Sequence, residues 1–175
     1  MIRIAATGHR YDKLYGYNLR DPRYMVLYIM ICNRILKAIK EDEKHKVECI
    51  TGMALGVDTI FAIAAINLKL KGHNIHLVAA IPFKGQELKW NDDSIEIYNN
   101  ILKYADEIVY VCNGGYAPYK MQKRNEYIVD RLTGANDILL AIYNGSNKGG
   151  TANCVNYAKS LGINIEYINP LEVLA

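Results

Sequence analysis

The sequence has no C-x-x-C pair, no GxxxxGK[ST] loop and no GxGxxG loop, and its longest apolar run, "YMVLYIMIC" at 24–32, is nine residues. Each absence excludes something. Without either phosphate-loop signature, an ordinary ATPase or dinucleotide dehydrogenase is not expected. The apolar run is far short of the roughly 20 residues that span a bilayer, so no membrane partner is expected. The four cysteines, Cys32, Cys49, Cys112 and Cys154, lack metal-ligand spacing. They read as reduced, buried thiols of a cytoplasmic protein rather than zinc ligands or disulfides, and neither a metal nor a required cofactor is expected. The opening "MIRIAATGHR" enters a strand directly, so no signal peptide is expected. Charge of either sign is not in large excess: 21 Lys and Arg against 18 Asp and Glu leave +3. That suits an anionic ligand and makes no demand for nucleic acid.

Phenylalanine and tryptophan are scarce, at two and one, against 14 tyrosines. Tyrosine pairs a flat apolar face with a hydroxyl that needs a partner, which fits ligand clefts and subunit interfaces. A genome rich in A and T would also raise Tyr, Asn, Ile and Lys together, and both explanations stay open. With 51% hydrophobic and 22% charged residues over 175 positions, the chain is expected to bury a real core as one domain, 1–175.

Six runs read as strands: 2–7, 47–51, 75–81, 107–111, 137–143 and 164–168. Several are almost continuously apolar, as in strands covered on both faces. Helices are predicted between them at 24–40, 56–71, 91–104, about 119–132 and 151–161. This alternation predicts an α/β fold, a doubly wound and mainly parallel sheet of about six strands with helices on both faces. In the first helix, Met25, Tyr28, Ile29, Cys32, Leu36 and Ile39 form the expected core stripe. Val26, Leu27, Met30 and Ile31 make the other faces apolar too, more than a helix should leave to water. A homo-oligomer, dimer or tetramer, is therefore expected.

Ligands of open α/β sheets bind beyond the carboxyl ends of the strands. The first five strands are followed by "TGHR" (7–10), "TGMALGVD" (51–58), "PFKGQELKW" (82–90), "CNGGYAPYKMQKRN" (112–125) and "NGSNKGGT" (144–151). Glycine and small polar residues thus gather at one edge. Glycines let backbone N–H groups approach a ligand, and a following helix N-terminus adds donors and partial positive charge, together an anion site. Two segments fit: Gly52, Met53, Ala54 and Gly56 before the second helix, and Asn144, Gly145, Gly149 and Gly150 before the last. Tight turns and caps are the alternative. Thr151 either caps that helix or turns its hydroxyl to a phosphate, with Asn153 in the same turn. Thr7, Gly8, His9 and Arg10 are candidates after the first strand, Arg10 as a bidentate phosphate ligand or a surface charge. Asp58 binds ribose hydroxyls or favours the helix dipole. Arg124 and Asn125, near Lys120 and Lys123, are ligand contacts or a solvated basic face. Phe83, Gln86 and Trp90 line a base or ribose pocket, or lie in the core beneath the loop.

In order, "TGHR", "TGMALGVD", "PFKGQELKW", "RNEYIVD" and "GGTANCVNYA" resemble the motifs of YpsA-like proteins of the SLOG superfamily, named for the Smf/DprA and LOG proteins. The resemblance covers nearly the whole chain. It implies a Rossmann-like fold whose glycine loops bind nucleotides or their derivatives, in proteins that are often oligomeric and occur in stress, phage and anti-phage settings. LOG proteins resemble phosphoribohydrolases with a PGGxGTxxE motif; matching Thr151 to that threonine puts Cys154 at the glutamate. LOG-type N-glycoside cleavage would then need its carboxylate from Asp58, Glu87, Asp92 or Asp130. DprA-like members resemble single-stranded-DNA loaders with long basic surfaces, which a chain at +3 fits poorly. The expected function is capture, to sense or sequester, of a nucleotide-derived small molecule such as an ADP-ribose-type or cyclic nucleotide signal.

Overall fold

The computed structural model describes residues 1–174. Strands β1 (Ile2–Gly8), β2 (Lys46–Thr51), β3 (Asn74–Ile81), β4 (Glu107–Tyr110), β5 (Ile138–Ile142) and β6 (Asn164–Ile168) alternate with helices α1 (Pro22–Glu41), α2 (Val57–Leu70), α3 (Asp92–Tyr104), α4 (Tyr119–Asp130) and α5 (Gly150–Ser160). All five strand pairings are parallel, in the order β4-β3-β2-β1-β5-β6. This is the Rossmann-like, doubly wound α/β sheet expected from the alternation of elements. The chain builds outward from β1 to β4, then returns to place β5 on the other side of β1. The order therefore switches between β1 and β5.

Period-two alternation divides the strands between two cores. Ile4, Ala6, Cys49, Leu77, Ala79, Leu140 and Ile142 enter the larger core, beneath α1, α2 and α3. Ala5, Ile50, Val78, Ala80 and Leu139 face the smaller one, with Ile128 and Val129 of α4 and Cys154 and Ala158 of α5. Apolar residues at nearly every position of the four inner strands, β3, β2, β1 and β5, are thus buried from both sides, whereas edge residues such as Ile108, Tyr110 and Tyr167 are exposed. Cys49 and Cys154 are buried free thiols, whereas Cys32 and Cys112 are free but only half-buried.

Helix α1 starts where Asp21 accepts the Arg23 N–H at 3.0 Å, with Pro22 in the first turn. Its buried face is Tyr24, Leu27, Ile31, Ile35, Ala38 and Ile39. This corrects the stripe read from sequence, since Met25 and Ile29 are exposed, at 60% and 49%. The two stripes lie side by side on the helix, and the polar residues Asn33, Lys37, Lys40 and Glu41, all exposed, mark the face opposite the observed one.

At the amino edge of the sheet, charges are matched. Arg3 lies between Glu48 (3.3 Å) and Asp137 (3.5 Å), and Arg131 between Glu48 (3.1 Å) and Glu107 (3.0 Å). At the carboxyl edge, the β2–α2 loop meets the turn after β1. Gly56 opens α2 with φ of 94°, and a Cβ there would sit 2.4 Å from the His9 carbonyl oxygen and 2.6 Å from Arg10 Cα. The neighbour is backbone and has nowhere to go. Gly56→Ala is expected to cost about 2–4 kcal/mol, a fall in Tm of roughly 5–15 °C for a chain of this size. Gly72→Ala, at φ of 95° with no atom within 4 Å, is expected to cost about 1–2 kcal/mol; thermal unfolding of the two variants separates clash from strain.

Candidate functional site

At the switch point, beyond the carboxyl ends of β1 and β5, lies a cavity of about 330 Å³. The end of β1 and the turn after it supply Thr7, Gly8, His9 and Arg10, and a 3-10 turn at Tyr11–Lys13 adds Asp12 and Lys13. Ala54 comes from the β2–α2 loop, Asp58 from the first turn of α2, and Met121, Arg124, Asn125 and Ile128 from α4. Lys148, Gly149, Gly150, Thr151 and Cys154 close it from the β5 side.

The inner wall is built on a buried ion pair. The Arg124 guanidinium and the Asp58 carboxylate lie 3.9 Å apart, with side chains 7% and 11% exposed. Arg124 Nη1 also donates to the Gly52 carbonyl, and its Nε to Asn125 Oδ1 at 2.9 Å. Asp58 Oδ2 accepts the Ala54 N–H at 3.1 Å. Burial raises the Asp58 carboxyl above its usual range, against the opposing pulls of Arg124, the Ala54 N–H and Arg10. Burial likewise lowers Arg124, with Asp58 pulling it back.

The two glycine-led helices present their N-termini differently. The first N–H of α2, on Val57, donates to the His9 carbonyl at 3.1 Å, so this end closes on the β1 turn. Helix α5 opens after Gly149, at φ of 101°, and no side chain caps it; its first N–H groups have no intrahelical acceptor. Thr151 is therefore not its cap. Lys13 Nζ lies 3.9 Å from where a Gly149 Cβ would stand, placing an ammonium beside the positive end of the helix.

His9 is buried with its ring in the cavity wall. Its Nε2 accepts the Asn144 N–H at 3.2 Å, which assigns the proton of the neutral imidazole to Nδ1. Burial lowers its pKa from the ordinary value of 6.5, with a bond to the Asn144 side chain opposing. Burial also pushes the Cys154 thiol up to about 11, against smaller pulls from Thr7 and Arg124.

The structure thus brings together Thr7, Gly8, His9, Arg10, Ala54, Asp58, Arg124, Asn125, Gly149, Gly150 and Thr151. Other candidates from the sequence lie elsewhere. Gly52 sits behind the ion pair, where a Cβ would be 2.7 Å from both Arg124 and Asp58, and Gly56 lies against the backbone of His9. Met53 and Trp90 border a second hollow of about 110 Å³. Gln86 donates to the Met53 carbonyl at 3.0 Å, and Trp90 stands edge-on to Tyr98. Phe83 is buried beside Tyr116 and Lys120. Asn144 and Gly145 are exposed in the loop leading to α5, and Asn153 is exposed on that helix. Of the four carboxylates considered for catalysis, Asp58 lines the cavity, while Asp130 accepts the Tyr157 hydroxyl at 2.7 Å. Asp12, Lys13, Lys148 and Met121 were not singled out by sequence, because a lone Lys or Met in a loop or helix carries no pattern of its own. Among the described residues, no helix is long and apolar enough to cross a membrane.

The family model YpsA, described as the YspA SLOG family, matches residues 4–173, a span that contains every residue lining the cavity. The chain is 38% identical over 140 residues to the "Uncharacterized SPbeta prophage-derived protein YoqJ" of Bacillus subtilis (strain 168), covering 73% of this chain and 79% of that protein. It is 29% identical over 160 residues to a "UPF0398 protein" of Bacillus thuringiensis (strain Al Hakam), covering 91% and 83%.

The His9 shift has a measurable consequence. A depressed folded pKa means that the proton prefers the unfolded chain, so stability is full above the ordinary imidazole range and is lost as pH falls through it. Denaturant midpoints are expected to drop between about pH 7 and pH 5, and to drop less in His9→Gln, whose amide oxygen can still accept the Asn144 N–H.

Proposed function

The chain belongs to the YpsA SLOG family, and from that premise we propose that its switch-point cavity captures a nucleotide-derived small molecule of the ADP-ribose or cyclic-nucleotide kind. The observation that carries this reading is the convergence of Arg10, Lys13, Arg124 and Lys148 on the cavity that the uncapped N-terminus of α5 also borders, against two carboxylates, Asp12 and Asp58. Backbone donors at a helix start, glycines that admit close approach and a cationic surround are the elements of a phosphate site. The volume, about 330 Å³, is within the range of small-molecule pockets.

Capture rather than turnover is favoured by Cys154. It stands at the position the LOG comparison gives to a glutamate, and burial holds its thiol protonated. The prophage origin in the name of a 38% identical relative supports a setting in phage–host conflict, where sequestering a signal would be enough. A second reading, N-glycoside hydrolysis, is favoured by Asp58, a cavity carboxylate with a raised pKa. Release of free base from ADP-ribose, AMP or NAD by the purified protein would replace the first reading with the second.

We take the working form to be a homo-oligomer, with Met25 and Ile29, exposed at 60% and 49%, covered by another copy. Light scattering is expected to give a dimer or tetramer for the wild type and a monomer for the double change Met25→Glu, Ile29→Glu.

The phosphate assignment is tested by Gly150→Asp. A Cβ at Gly150 meets no atom within 4 Å, and an acidic side chain suits a helix N-terminus, so the variant should fold normally. Its carboxylate would occupy the phosphate position. Mass spectrometry of small molecules released on heating is expected to give a nucleotide near one per subunit from the wild type. ADP-ribose affinity is expected to fall at least about tenfold in the variant; unchanged affinity would remove the loop from the site.

A further inference from the structure

The β2–α2 loop divides two spaces of opposite character. Ala54 borders the cationic cavity, while its neighbours Met53 and Leu55 border the second hollow, of about 110 Å³. Four aromatic side chains line that hollow: Tyr11 and Tyr17, edge-on with ring centres 5.6 Å apart, and Trp90 and Tyr98, edge-on at 5.5 Å. Its charged lining group is Asp93, in the first turn of α3, and among the described residues no basic side chain lines it. A second carboxylate stands close by. The Glu87 carbonyl accepts the Trp90 N–H at 2.9 Å, and Oε2 of the Glu87 side chain is shielded from water with no bonding partner among the described residues. Burial, and after it the nearby charge of Glu87, raises the pKa of the Tyr98 hydroxyl. A shielded carboxylate oxygen without a partner is costly and favours a cation beside it.

The kind of cation follows from which groups are free. The Thr59 hydroxyl donates to the Ala54 carbonyl at 2.9 Å, and Asn91 Oδ1 accepts the Ser94 N–H at 2.8 Å, so polar atoms of the wall are already in use. A primary ammonium brings three N–H donors that need acceptors. A methylated ammonium brings few or none and is held by aromatic rings instead. Size agrees: a cavity of roughly 150 Å³ admits a benzene ring, and one of about 110 Å³ suits a single trimethylammonium head. We propose that this hollow is a second binding site, which takes the methylated ammonium head of a small organic cation between the Tyr11–Tyr17 and Trp90–Tyr98 pairs, with Asp93 at its mouth. It binds the opposite charge to the cavity, from the other face of the same loop, and stands independently of the phosphate reading.

Trp90 is the single tryptophan of the chain, so its fluorescence reports on the hollow. The test is a titration of the full chain, at constant ionic strength, with choline, with ethanolamine as its primary-ammonium counterpart, and with neohexanol, in which an uncharged tert-butyl group replaces the trimethylammonium. Choline is expected to change the Trp90 emission saturably and to bind at least about fivefold more tightly than the other two. Equal affinity for neohexanol would overturn recognition of the charge, and equal affinity for ethanolamine would overturn the methylated head. No saturable change with choline would remove the site altogether. Asp93 and Tyr17 are exposed, so Asp93→Asn and Tyr17→Ala should fold normally. Each is expected to weaken choline at least about twofold, and Asp93→Asn to leave neohexanol unaffected. Choline affinity unchanged in both variants would sink the proposal.

Discussion

The ion pair of Asp58 and Arg124 organises the carboxyl edge of the sheet. Its partners come from opposite sides, Asp58 from α2 over the larger core and Arg124 from α4 over the smaller one. Removing two charges from water costs several kcal/mol per ion, and attraction alone does not reliably recover it. Here the remaining valences are used: Arg124 reaches the Gly52 carbonyl and Asn125, and Asp58 the Ala54 N–H. The pair therefore shapes the β2–α2 loop as well as bridging the layers. Gly52 belongs to the same arrangement, since any side chain there would occupy the space of the pair.

The two edges of the sheet handle charge in opposite ways. At the amino edge, Arg3 and Arg131 are interleaved with Glu48, Glu107 and Asp137, so little net field remains. At the carboxyl edge, four basic side chains converge on one cavity with only two acidic ones. A chain whose overall balance is only +3 can thus present a locally cationic site. Low-dielectric walls strengthen such a field where it meets a ligand.

The fold was largely legible in the sequence. Near-continuous apolar runs such as "IHLVAAI" and "DILLAIY" have few alternatives to buried parallel strands, and each was found within two residues of its predicted bounds. The phase of α1 was misplaced by one stripe, because apolar residues flank the buried face and only the polar Asn33, Lys37, Lys40 and Glu41 distinguish the side that meets water. In the cavity, motif residues were legible and isolated ones were not. His9, Arg10 and Gly149–Thr151 sit in glycine-marked segments at strand ends, whereas Lys13 and Lys148 reach the cavity only through the packing of the turns that carry them. Glycine itself was ambiguous. Gly149 opens a helix with no side-chain cap, while Gly56 makes room for the carbonyl of His9; the same residue type leaves a helix start open in one loop and admits a neighbouring backbone in the other.

The close approach at Gly56 also fixes one side of the cavity. With Gly56 against His9 and Arg10, and the Val57 N–H bonded to the His9 carbonyl, the β1 turn and the β2 loop form one rigid wall. The opposite wall, from Asn144 to Gly149, is exposed. It is held by its own turn contacts through Ser146 and by the single bond from Asn144 to the His9 ring. The cavity is thus bounded on one side by a wall fixed through backbone contacts and on the other by an exposed loop linked to it through the His9 ring, which makes its two sides unequal in how firmly the fold holds them.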